Sequence, residues 1–263
     1  VVRFVERGGN LVVAVDEHVE KSMVDLAAEF GIELDARGRM AMDFARNVDL
    51  HEHDPTVFVT DQINPEPAFV GEQVTGGSVV YQGIGMSLLS TSDLLSPLLT
   101  GSPTTYSYFP GEEVQGSPIL AGKEVVLVAA VQARNNARAV FSGSMKLFSD
   151  DFMDMILPGT NSEEDVDSAN QAFGREIMKW ALQEKSVLKA SNFEHRIVGG
   201  EKQSIYRIKD EVEFFAHIEE YSDGEWVPFQ GNDVQVRVAI RQHGVRCTRR
   251  HCIEAQSTSG IVG

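Results

Sequence analysis

The sequence predicts an α/β fold: a largely parallel sheet flanked by helices, followed by the start of an antiparallel β-sandwich module. Three observations carry that expectation. Residues 123–133, KEVVLVAAVQA, are apolar on both faces, the pattern of a strand in the middle of a largely parallel sheet covered by helices. Helical stripes alternate with such apolar runs up to about residue 190. Beyond Lys189 the text breaks into short stretches of alternating apolar and polar residues, separated by Ser222-Asp223-Gly224 and Gly231-Asn232-Asp233, which are turn signals of an antiparallel module.

The elements follow in order. The chain opens inside a helix that ends at Gly8-Gly9, so its natural beginning is expected upstream. Residues 10–16, NLVVAVD, read as a buried strand. Met23, Leu26, Ala27 and Phe30 fall at i, i+3, i+4 and i+7, which predicts a helix with Gly31 as its C-terminal stop. Residues 56–61 (TVFVTD) are a second buried strand, entered after Pro55, and residues 78–88 (SVVYQGIGMSL) a strand that breaks into a glycine turn. After the run at 123–133, Arg134, Asn135, Asn136 and Ala137 turn the chain, because asparagine tolerates the left-handed conformation of a tight hairpin. Residues 138–144 (RAVFSGS) return as the partner strand, with Val140 and Ser142 facing opposite to Phe141. Asp150 and Asp151 are placed to cap a helical turn. Ser168 as N-cap with Gln171 three residues on forms a capping box, and Phe173, Ile177, Trp180 and Ala181 make the apolar stripe of the helix it starts.

The expected organisation is an α/β domain over 1–190, a boundary in the polar, glycine-bearing stretch 190–204, the beginning of a β-sandwich over 204–240 and an atypical, disordered tail over 241–263. No internal repeat is visible.

Composition narrows the function. With 263 residues and 42% apolar content there is material for a real core in one large or two smaller domains. The 23 basic residues against 39 acidic ones give a net charge of −16, which repels phosphate backbones and anionic headgroups. Nucleic acid is therefore not an expected partner. No apolar run approaches the length of a bilayer span, and the first residues lack a signal-peptide pattern. Both cysteines, Cys247 and Cys252, lie near the C-terminus, so no disulfide framework holds the main fold.

The chemical motifs are all incomplete. No cysteine lies in the sheet region to serve as a thiolate nucleophile, and Phe141-Ser142-Gly143-Ser144 lacks the first glycine of a serine elbow. Gly83-Ile84-Gly85 lacks the third glycine and the helix start that a pyrophosphate needs. Asp165-Val166-Asp167 is formally a cation-binding pair of carboxylates, but it sits in an acidic polar loop and reads as solvated. His243, Cys247, His251 and Cys252 have zinc-ligand types at a spacing that matches no common finger. The residues alone thus point to no catalytic, cofactor or metal site, and to binding or scaffolding over catalysis.

Residues 132–152, QARNNARAVFSGSMKLFSDDF, resemble the hallmark segment of the family of 48 kDa subunits of eukaryotic oligosaccharyltransferase. YQGIGM (81–86), LLTGSPTTYSYFP (98–110), GEWVPFQGNDVQ (224–235), the opening FVERGGNLVVA and AAEFGIELD resemble the same family in order and spacing, from Val1 to about Val238. The resemblance implies a luminal α/β domain like a glutamine amidotransferase that has lost its nucleophile. It also implies a type I membrane protein of the endoplasmic reticulum when full length. The implied role is that of a non-catalytic subunit, without cofactor, in a complex that transfers a preassembled glycan from dolichyl diphosphate to asparagine in N-x-S/T sequons. Its implied partners are the other subunits, including a multi-spanning catalytic one, and the lipid-linked oligosaccharide. Two other readings stand beside it: a carbohydrate-binding module, and an amidotransferase-like enzyme with an atypical nucleophile. Arg134, Asn135, Asn136 and Arg138 are the residues expected to meet a glycan or a partner; pairing within their own domain is the alternative.

Overall fold

The computed structural model describes residues 1–48, 54–71, 74, 76–89, 92–158, 165–207, 210–222, 224–231, 235–242, 245–252 and 261–262, the last three spans by their backbone. The chain divides into two compact units, residues 1–183 and 184–263.

The first unit begins with α1 (Val2–Glu6), β1 (Leu11–Ala14), α2 (Lys21–Glu29), β2 (Ile32–Leu34) and β3 (Met40–Met42). There follow β4 (Phe58–Thr60), β5 (Val79–Tyr81), β6 (Met86–Leu88), β7 (Leu95–Thr100) and β8 (Tyr106–Tyr108). It closes with β9 (Val126–Gln132), β10 (Arg138–Ser142), α3 (Asp150–Met153), β11 (Ile156–Leu157), β12 (Val166–Asp167) and α4 (Asn170–Ala181).

The principal sheet runs in the order β1-β10-β9-β6-β2, with β7 also paired to β9. It is mixed, which corrects the expectation of a largely parallel sheet. Only β1 and β10 run parallel, Leu11 opposite Ala139 through Ala14 opposite Ser142. The pairs β10–β9, β9–β7, β9–β6 and β6–β2 are antiparallel. The five residues 133–137 join β9 to β10 as a hairpin, which can only return the chain antiparallel. The apolar character of β9 on both faces reports burial, not direction. On one face Val128, Ala130 and Val140 pack with Phe173, Ile177 and Trp180 of α4. On the other, Ala129, Val131 and Phe141 pack with Ala27 of α2 and with Val15 and Met86. Residues 56–61 do not join this sheet: β4 pairs antiparallel with β5, as β3 does with β8 and β11 with β12.

The helices keep their apolar stripes, with local shifts. In α2 Met23 is exposed and Val24 takes its place against the core beside Ala27 and Phe30. Gly31 follows at φ +78°, a conformation that stops the helix at little cost only for glycine. In α4 Phe173, Ile177, Trp180 and Ala181 are all buried. The expected capping box does not form: the N-cap is Ala169 and the Ser168 hydroxyl donates to the Phe152 carbonyl at 2.6 Å. Asn170 fixes the helix entry instead, accepting from Val80 N–H at 2.8 Å and donating to its carbonyl at 2.9 Å. This side chain bonds the unpaired edge of β5 like another strand. Asp150 and Asp151 lie in the first turn of α3 behind the N-cap Ser149, where they favour the positive end of the helix dipole.

The second unit is antiparallel, as expected. Its strands β13 (Val187–Ile197), β14 (Val212–Ser222) and β15 (Glu225–Pro228) form a meander, and β18 (Ile261–Val262) pairs with β14. A separate hairpin joins β16 (Gln235–Gln242) to β17 (Val245–Cys252). The stretch expected as a boundary linker at residue 190 is thus interior to β13, and the stretch expected as a tail carries the end of β16 and the paired strand β17. A bulge between Ser191 and Glu194, with Asn192 at φ +51°, breaks the β13–β14 register. The expected turn residues Asp223, Asn232 and Asp233 lie outside the described residues, as do residues 159–164 of the expected polar loop.

Candidate functional site

The four residues expected to make contacts do different things. Ala133 and Ala137 close the hairpin, Ala133 N–H donating to the Ala137 carbonyl at 2.8 Å, and Asn136 stands at φ +65° as a left-handed turn residue. The Asn135 amide donates to the carbonyls of Val5 at 2.9 Å and Glu6 at 3.0 Å, satisfying the end of α1. The Asn136 carbonyl accepts from Gln183 at 2.9 Å. Arg138 is turned inward and only 3% exposed. Its guanidinium donates to the Trp180 carbonyl at 2.8 Å and lies 4.8 Å from the Trp180 ring centroid. Burial pulls its pKa down to about 10. Arg134 and Asn136 both present exposed side chains with no protein partner among the described residues.

At the opposite end of β10 two of the resembling segments lock together. A Cβ on Gly83 would lie 2.1 Å from the Gly143 carbonyl oxygen, and one on Gly143 would lie 2.1 Å from that of Ile84. Two backbones therefore cross where only glycines allow it, sealed by Ile84 N–H to the Gly143 carbonyl at 2.8 Å. The buried Tyr81 hydroxyl donates to the Ile84 carbonyl at 2.7 Å, and burial raises its pKa well above the ordinary phenol value. The serines of the incomplete elbow are part of the same lock. Ser142 Oγ donates to the Ser144 carbonyl at 2.9 Å, and Ser144 Oγ donates to the Gln82 carbonyl at 2.6 Å while accepting from Leu147 N–H at 3.0 Å. Both are buried, and both hydroxyls are engaged by backbone.

Above this crossing lies a cavity of about 280 Å³ lined by Asp16, Glu17, Met40, Asp54, Thr56, Gln82, Pro110, Met145 and Lys146. It sits past the carboxyl ends of β1 and β10, the parallel pair, which is where open α/β sheets place their clefts. Lys146 Nζ donates to Gln82 Oε1 at 2.5 Å, Gln82 Nε2 to Thr56 Oγ1 at 3.0 Å, and Thr56 Oγ1 to Asp54 Oδ1 at 2.7 Å. Asp16, Glu17 and His18 bring ligand-type atoms within 4.8 Å of one another at its rim, with His18 largely exposed. An exposed group of that kind is not by itself a metal site. Sequence reading missed this cavity, because its lining comes from six separate stretches. The available signal was positional: polar residues immediately beyond the ends of two strands.

In the TTYSYFP stretch, Thr104 donates to both oxygens of the buried Asp43, at 2.9 and 2.7 Å, and Thr105 donates to Oδ2 at 3.0 Å. The N–H groups of Ala45 and Arg46 complete the shell. Ser107 donates to Asp35, which also holds Arg39 at 3.3 Å, and the Arg39 guanidinium lies over Phe109. Asp165 and Asp167 are exposed. His243 and the side chains of Cys247, His251 and Cys252 lie outside the described residues.

Comparison with known proteins agrees with these motifs. Residues 1–184 match the family model described as "OST48, N-terminal domain", and residues 194–257 the one described as "OST48 middle domain". The match thus runs through the region read from sequence as a tail. The chain is 35% identical over 242 residues to the zebrafish (Danio rerio) dolichyl-diphosphooligosaccharide–protein glycosyltransferase 48 kDa subunit, covering 90% of this chain and 54% of that one. The Caenorhabditis elegans protein of the same name is 32% identical, covering 95% and 57%, and the Arabidopsis thaliana one 34%, covering 89% and 54%. The chain therefore spans rather more than half the length of these curated relatives. With both domain matches in chain order and the resembling segments built into one fold, the chain belongs to the family of oligosaccharyltransferase 48 kDa subunits.

Proposed function

We propose that this chain is the N-terminal and middle portion of a non-catalytic subunit of the oligosaccharyltransferase complex. In that role it supports transfer of a preassembled glycan from dolichyl diphosphate to asparagine in N-x-S/T sequons of nascent proteins. It works on the luminal side of the endoplasmic reticulum membrane, as part of a type I protein, beside a multi-spanning subunit that performs the chemistry. The observation that carries the reading is membership of the family across two successive domains. The local chemistry supports the non-catalytic part: Ser142 and Ser144, nearest to a nucleophile motif, are buried with their hydroxyls bound to backbone. A serine nucleophile needs an exposed Oγ beside a base. The first unit then serves as an amidotransferase-like scaffold without its nucleophile. Any contact of residues 134–138 with a glycan or a partner falls to the exposed side chains of Arg134 and Asn136, since Arg138 is turned into the core and the Asn135 amide is bound to α1.

The test is glycan transfer to a sequon peptide from a dolichyl-diphosphate oligosaccharide. The purified full-length protein is expected to transfer nothing alone, and the complex to lose activity when depleted of it. Transfer by the isolated protein would overturn the non-catalytic reading.

A further inference from the structure

We draw no further inference here: the strongest candidate, the apolar face of the antiparallel sheet in the second unit where Leu188, Phe193 and Val212 stand exposed, carries no proposal, since nothing in the structure shows what covers it.

Discussion

The two ends of β10 are built from similar residues and used in opposite ways. At its start, Asn135, Asn136 and Arg138 are consumed by the fold: they end a helix, turn a hairpin and fill the space over Trp180. Past its end, a glycine crossing removes side chains altogether, and the polar residues that follow line an open cavity. A polar cluster in a sequence therefore marks a site only when its groups are left with work after the backbone has been satisfied. The start of β10 leaves the side chains of Arg134 and Asn136; the far end leaves a whole acidic recess.

This contrast can be broken at its strongest point first. Gly143→Ala places a methyl on a backbone carbonyl that has no flexible end to yield, and is expected to cost more than about 3 kcal/mol or to prevent folding. Urea denaturation of the variant measures it, and a normal midpoint would show that the two segments do not cross as described. Asp43→Ala comes next. It strips acceptors from Thr104, Thr105 and two backbone N–H groups, for an expected loss of about 3 kcal/mol in the same assay.

Arg138→Ala and Arg134→Ala sharpen the comparison within a single turn. The first removes one of two donors to the Trp180 carbonyl, which keeps Gln183 N–H at 3.1 Å, and leaves a gap over the ring, about 2 kcal/mol; the second is expected to fall within about 0.5 kcal/mol of the parent. Equal effects would erase the distinction between a buried and a presented arginine.

The smallest effect is electrostatic. Burial pushes the Asp61 carboxyl up, but the Gln62 amide and the Arg46 guanidinium at 3.0 Å outweigh it and hold its pKa below the usual range. A carboxylate depressed in the folded state stabilises the fold above its unfolded pKa and loses that contribution as pH falls through the folded value. Asp61→Asn is therefore expected to remove a small part of the stability lost on acidification between about pH 5 and pH 2, followed by circular dichroism. The effect is small because both side chains are just over a third exposed.

Legibility followed the range of the interaction. The β9–β10 hairpin could be read because an apolar run, two asparagines and a returning run lie within about twenty residues. The α4 stripe was legible for the same reason. Sheet direction was not, because burial on both faces of β9 is equally the result of helices above and below a mixed sheet. Ser168 misled because a serine three residues before a glutamine fits a cap locally, while the Phe152 carbonyl, sixteen residues away, offered a better acceptor. The resembling segments identified a family long before their roles could be seen. Only the fold reveals that YQGIGM and SGSM meet through their glycines. The cavity draws one or two residues from each of six stretches, so no spacing in the chain announces it.

The proposed place of this chain in a glycosylation complex is open to direct test. The direct measurement is affinity purification of the full-length protein from its native membranes in mild detergent, with quantitative mass spectrometry of what accompanies it. Recovery in stoichiometric amount with a multi-spanning glycosyltransferase subunit is the predicted result. Recovery of the protein without any such partner would contradict the account.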